Sequence, residues 1–231
     1  MTIVIPATRI DWFLWENIFG LNSQRYSAWS LLVVCQSPDI GDRVISVMKT
    51  HRRFLPENDI FVPRRVLSDA ELLNAAIGMV KTDYFCLKML HDHLHSSALA
   101  SLSEALETEH DFVHTLRFKM NNDDLITCDA PVDVDDWSAK EFKYRGLFTF
   151  KKQAVMSIGG FQHGVDLNDP VLVLIYDLLD SGASIHRINE FLYMSRWIDQ
   201  MNATRSSDDN AVEWRKQLIA QRWPERVEER S

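Results

Sequence analysis

The residues best placed to do chemistry cluster at His91-Asp92-His93-Leu94-His95. Imidazoles beside a carboxylate can hold a borderline divalent cation, relay a proton or face an anion. At period-two spacing the three histidines would share one face if the preceding strand continued through them. A His-x-His step after a strand also opens the metal site of many zinc hydrolases. Further ligands would then have to come from His114, His163 or Asp166, and no second motif at telling spacing supplies them. A second candidate is Asp169, followed by Pro170 at the start of a predicted helix. A carboxylate there serves as an N-cap or as a general base; capping lowers its pKa and makes it the weaker base. Arg64-Arg65 follows an apolar run and Pro63, where a guanidinium can meet an anion or simply face water. The acidic stretch Asp123, Asp124, Asp129, Asp133, Asp135 and Asp136 lacks the glycine and terminal glutamate of a calcium loop, so it reads as a solvated surface loop.

These side chains need elements to hold them. Short apolar runs alternate with longer amphipathic ones, the signature of an α/β domain. Strands are expected at Ile3–Ile5, Ser30–Cys35, Asp59–Val62, Tyr84–Leu90, Phe112–Phe118, Leu147–Phe150, Ile185–Ile188 and Phe191–Ser195. Helices are expected at Asp11–Gln24, Gly41–Arg52, Ser97–Thr108, Lys152–Ser157, Asn168–Ser181 (closed by Gly182) and Asn210–Trp223. Another runs from Ser68 to Val80, where Ser68 and Glu71 form the S-x-x-E pattern of a capping box. Residues 121–136 show no period and read as a long loop.

The whole chain of 231 residues is 46% hydrophobic and 25% charged, enough to build a full core. Its 33 acidic and 25 basic side chains leave a net charge of −8, which argues against broad nucleic-acid binding but not against a small anionic ligand. No run of about 18 apolar residues predicts a spanning helix. Ile3-Val4-Ile5 without a basic flank reads as a strand rather than a leader peptide. Cys35, Cys86 and Cys128 each lie in or beside an apolar run, which points to buried reduced thiols and a cytoplasmic setting.

Five stretches, taken in order, narrow the fold. They are Ile3-Val4-Ile5-Pro6; Leu21-Asn22-Ser23-Gln24-Arg25-Tyr26-Ser27-Ala28-Trp29; Leu32 through Asp39; Leu73-Asn74-Ala75-Ala76-Ile77 with Asp83-Tyr84; and a C-terminal series of Ile158-Gly159-Gly160-Phe161, Asn168-Asp169, Gly182, Ile185, Leu192-Tyr193 and Arg196. With them the chain resembles the family-2 glycosyltransferases, inverting sugar-nucleotide enzymes of the GT-A fold, over roughly residues 2–205. The resemblance implies a Rossmann-like single domain, α/β with a mixed, mainly parallel sheet flanked by helices; residues 206–231 would be a helical tail on it.

The resemblance also implies roles. Pro6, Gln36, Arg65, Asn74, His91 and Asp92 would bind the nucleotide sugar, and Asp169 would be the base that deprotonates an acceptor hydroxyl. Trp197 would be placed to stack on a sugar. The partners would be a nucleotide-diphosphate sugar and a glycan, lipid or small-molecule acceptor, in the cytoplasm or at the membrane periphery. The chain departs from the family at the Asp-x-Asp motif, whose two acids fall on Met89 and His91 with Asp92 beside them. His91 and Asp92 are the remaining candidates for Mn²⁺ or Mg²⁺, or the site works without metal. Gln36 or Cys35 replaces an acid at the nucleoside; glutamine still donates and accepts at a base edge. Such losses also fit a sugar-nucleotide or glycan-binding module that has lost catalysis. A zinc hydrolase built on His91 and His93 is the minor alternative.

Overall fold

The computed structural model describes residues 1–8, 13–51, 58–120, 126–128, 146–162 and 170–196, with positions 217, 220 and 221 of the tail. Among the described residues nine strands form one sheet: β1 (Thr2–Ala7), β2 (Ser30–Cys35), β3 (Asn58–Phe61), β4 (Tyr84–Leu87), β5 (His93–Leu94), β6 (Phe112–Met120), β7 (Ile126–Cys128), β8 (Phe148–Lys151) and β9 (Ile185–Arg196). The helices described with them are α1 (Phe13–Asn22), α2 (Pro38–His51), α3 (Asp69–Met79), α4 (Ala98–Leu106), α5 (Lys152–Ser157) and α6 (Pro170–Asp180). The strand order is β3-β2-β1-β4-β8-β6-β9-β5, with β7 paired to β6. The pairings make β1, β2, β3, β4, β6 and β9 run one way and β5, β7 and β8 the other. The expected mixed, mainly parallel α/β sheet is the one observed.

The central strands read as unbroken apolar runs because both faces of the sheet are covered. Alternate residues go to opposite sides. Ile3, Ile5, Leu31, Val33 and Cys86 join one core with Leu14 and Ile18 of α1, Val44 and Met48 of α2, and Leu99 and Leu102 of α4. Val4, Leu32, Val34, Phe85 and Leu87 join the other with Leu72 and Leu73 of α3, Val155 of α5, and Leu174 and Leu178 of α6. Burial pushes the Cys35 and Cys86 thiols up to about 12, so both are inert packing groups.

The ends of the elements refine the sequence reading. The capping box at Ser68 is present, with both of its hydrogen bonds. α2 starts at Pro38, three residues before the expected Gly41, because proline suits a first helical turn and the Ser37 hydroxyl accepts from the Ile40 N–H. α6 is closed by Gly182, whose φ of +79° is a left-handed conformation that side chains resist. Ile126–Cys128 is a strand on β6 rather than part of a loop; three residues are too few to show a period. The two expected strands at 185–188 and 191–195 are one, β9, interrupted by bulges that leave Asn189, Glu190 and Leu192 without partners in the β6 register.

β4 stops at Leu87 rather than Leu90, and this shapes the molecule. Only Lys88–Asp92 separate β4 from β5, yet β8, β6 and β9 lie between them in the sheet. Four inter-strand gaps amount to about 19 Å, close to the full reach of so short a link, about 20 Å. The link is not stretched: it contains a turn, with the Asp92 N–H donating to the Met89 carbonyl at 3.2 Å. The sheet therefore curls, bringing the C-terminal end of β9 back against the end of β4.

Candidate functional site

In a doubly wound sheet ligands bind beyond the C-terminal ends of the strands. The register aligns Ala7 with Cys35, Val34 with Phe61 and Val4 with Leu87, so the segments leaving these strands share one edge. Pro6, Gln36, Arg65, His91 and Asp92 all belong to it. From β3 to β4 this edge measures roughly 14 Å at the usual strand spacing.

Several of these side chains already have partners. Gln36 donates to Asp69 Oδ1 at 3.1 Å, tying the end of β2 to the start of α3. Arg65 forms a fork on Glu71, at 2.5 and 3.2 Å. That bond, with the Ser68 N–H, holds the Glu71 carboxyl down at about 2 and raises Arg65. Arg65 thus braces the capping box. Asn74 of α3 reaches the turn after α5: its Nδ2 donates to the Phe161 carbonyl at 2.7 Å and its Oδ1 accepts from the Phe161 N–H at 2.8 Å. Gly160 makes this possible, since a Cβ there would lie 2.5 Å from Asn74 Oδ1 at a φ of +78°. Asn74→Ala breaks both bonds and is expected to lower stability by about 2–3 kcal/mol in urea denaturation; a loss under about 0.5 kcal/mol would show that the turn holds itself.

The centre of the edge is the turn after β4. Asp92 is 3% exposed. Its Oδ2 accepts from the Tyr193 hydroxyl and its Oδ1 from the Arg196 N–H at 3.0 Å, both on β9. The Met89 N–H donates in turn to the Tyr193 oxygen at 3.3 Å. Beneath lies Lys88, 1% exposed, whose ammonium donates to the Asp92 carbonyl at 2.5 Å and the Met89 carbonyl at 3.3 Å. Burial lowers Lys88 from its usual 10.5 to about 7, against the pull of Asp92. Burial, then Asp92, raises the Tyr193 phenol well above its ordinary value.

The three histidines diverge. His91 Nε2 is 3.4 Å from Asp92 Oδ1. His93 meets the Arg196 guanidinium at 2.9 Å and Glu16 of α1 at 3.6 Å; burial, then Lys88 and Arg196, lowers its pKa. His95 bonds the Ser97 hydroxyl at 2.8 Å, at the head of α4. His114 is buried near the N-terminal end of β6, the opposite edge, stacked on Phe112. Among the described residues no group of three or more His, Cys, Asp or Glu is placed to hold a metal ion. His91 and Asp92 as arranged do not fit a hard divalent cation: one carboxylate is present, and both of its oxygens take hydrogen bonds from β9. His163, Asp166, Asn168, Asp169, Trp197 and the acidic loop at 129–136 lie outside the described residues, as do Asp123 and Asp124.

No protein-family model matches the chain, and no curated protein sequence does. Solved structures do. TarS of S. aureus (residues 1–349) in complex with UDP-GlcNAc superposes with a TM-score of 0.72 at 10% identity, over 95% of this chain and 65% of that one. The mannosyltransferase PcManGT of Pyrobaculum calidifontis, in complex with GDP-Man and Mn²⁺, gives 0.64 at 12% identity, over 84% and 56%. The chain has the fold of these proteins. It spans between 42% and 65% of the lengths of the TarS and PcManGT chains compared. No helix among the described residues is long and apolar enough to cross a membrane.

Lys88, Tyr193, Arg196 and Glu16 carry the site's internal network, and sequence reasoning assigned none of them a role. One signal was present: a lysine inside the apolar run Tyr84-Phe85-Cys86-Leu87-Lys88-Met89-Leu90 must either point out or be held.

Proposed function

We propose that the chain is a glycosyltransferase of the inverting, family-2-like type, with residues 1–205 as its donor-binding domain. It transfers a sugar from a nucleotide-diphosphate donor to a hydroxyl on a glycan, lipid or small molecule. The observation that carries the reading is the shared fold, at a TM-score of 0.72 over 95% of the chain, with a protein that binds a sugar nucleotide. Pro6, Gln36, Arg65, His91 and Asp92 on the C-terminal edge, with Asn74 bracing the turn before residues 163–169, supply the donor side. Asp169, just ahead of α6, takes the acceptor proton as that oxygen attacks the anomeric carbon. The bond from that carbon to the phosphate oxygen breaks on the opposite face, its electron pair leaves with the nucleoside diphosphate, and the configuration inverts.

A second reading, a sugar-nucleotide or glycan-binding module without catalysis, is favoured by the inward-facing Asp92. Incubation with a panel of sugar nucleotides and acceptors separates the two: released nucleoside diphosphate together with a glycosylated product supports transfer, and binding without either supports the module. In an active protein Asp169→Asn is expected to lower kcat by about 10²-fold or more with donor KM little changed. Full transfer by that variant would sink Asp169 as the base.

A further inference from the structure

The turn at Lys88–Asp92 is organised by an amine that the chain itself supplies. The Lys88 ammonium lies under the turn and holds the Met89 and Asp92 carbonyls at 3.3 and 2.5 Å, as a bound ion would gather oxygens. We propose that the donor diphosphate is held at this edge without a divalent metal ion, the turn being ordered from inside by Lys88 and the Asp92–Tyr193 pair. The inference rests on the sugar-nucleotide reading above.

Three observations carry it. The side chains nearest the edge have the wrong chemistry for Mg²⁺ or Mn²⁺. Met89 offers a thioether and His91 an imidazole, whereas these ions favour several oxygens. The remaining carboxylate is already engaged. Its two oxygens already accept from the Tyr193 hydroxyl and the Arg196 N–H, one bond on each, so the turn offers one hydrogen-bonded carboxylate where these ions take several oxygen ligands. The turn also carries its own basic groups: Lys88 is enclosed beneath Asp92, and the Arg196 guanidinium lies against His93 and Glu16. The same arrangement suits an anion. His91 and Arg196 keep 24% and 17% of their side chains exposed, and both can donate hydrogen bonds to phosphate oxygens.

The test uses the whole chain and needs no variant. UDP, GDP, dTDP and ADP are titrated calorimetrically, once in EDTA and once in excess Mn²⁺. The expected result is that whichever nucleotide binds does so with dissociation constants agreeing within about twofold in the two buffers. Binding that tightens about tenfold or more in Mn²⁺, or occurs only there, would overturn the inference and leave the sugar-nucleotide reading standing. Absence of binding by all four in both buffers would overturn the donor reading, and the inference with it.

Discussion

Replacing Asp92 with alanine is expected to lower the unfolding free energy by about 3–5 kcal/mol, the usual cost of removing one member of a buried charged network. The size reflects the groups left behind. Tyr193 loses the acceptor of its hydroxyl proton, the Arg196 N–H loses its partner, and the Lys88 ammonium loses the carboxylate that favours its charged form. Asp92→Asn keeps the shape and one acceptor oxygen and should fall between the alanine variant and the wild type. Guanidinium denaturation followed by tryptophan fluorescence measures both. A cost below about 1 kcal/mol for the alanine variant would mean that the carboxylate is solvated rather than clamped.

The second large effect is a rise in stability with pH. Lys88 titrates at about 7 in the folded chain and near its ordinary 10.5 when unfolded. Between those values the unfolded chain holds the extra proton, so unfolding becomes less favourable as the pH increases. From pH 7 to 9 the gain is roughly 2 kcal/mol. Below pH 7 both states are protonated and this contribution is constant. Above pH 9 the buried thiols act in the opposite sense. Cys35 and Cys86 ionise near 9 when exposed and only about 12 when folded, so the unfolded chain sheds those protons first and stability falls again. Denaturation at pH 7, 8 and 9 should therefore show an ascending series, and Lys88→Met should flatten it. A wild-type series that is level or descending over that range would show the amine to be in contact with water.

How far the sequence reached depended on the physical range of each signal. Runs such as Ile3-Val4-Ile5 and Leu31-Leu32-Val33-Val34-Cys35 announce strands covered on both faces, and Ser68 with Glu71 announces the start of a helix, because these signals lie within a few residues of one another. The C-terminal edge was legible too, since it is set by where the parallel strands stop. The hydrogen-bond partners inside it were not. Asp92 is held by groups on β9, set there by a curl that local pattern does not encode. The Asn74 amide binds the backbone of Phe161, 87 positions away, a contact no local signal announces. β7 and the joined β9 were missed for a smaller reason: short pieces and bulges erase the period by which a strand is recognised.

The clamp on the turn after β4 has a consequence for the order in which the protein is made. Tyr193 is 101 residues downstream of Asp92, and Arg196 is 104. At the usual pace of synthesis the turn leaves the ribosome about 5–20 s before the strand that fastens it. During that interval the first four strands can already pair, but Lys88 has no settled enclosure and Asp92 no hydroxyl to accept from. The C-terminal edge is thus completed by the last of the described strands to arrive, and a nascent chain fastens the turn after β4 only once the rest of the sheet can form.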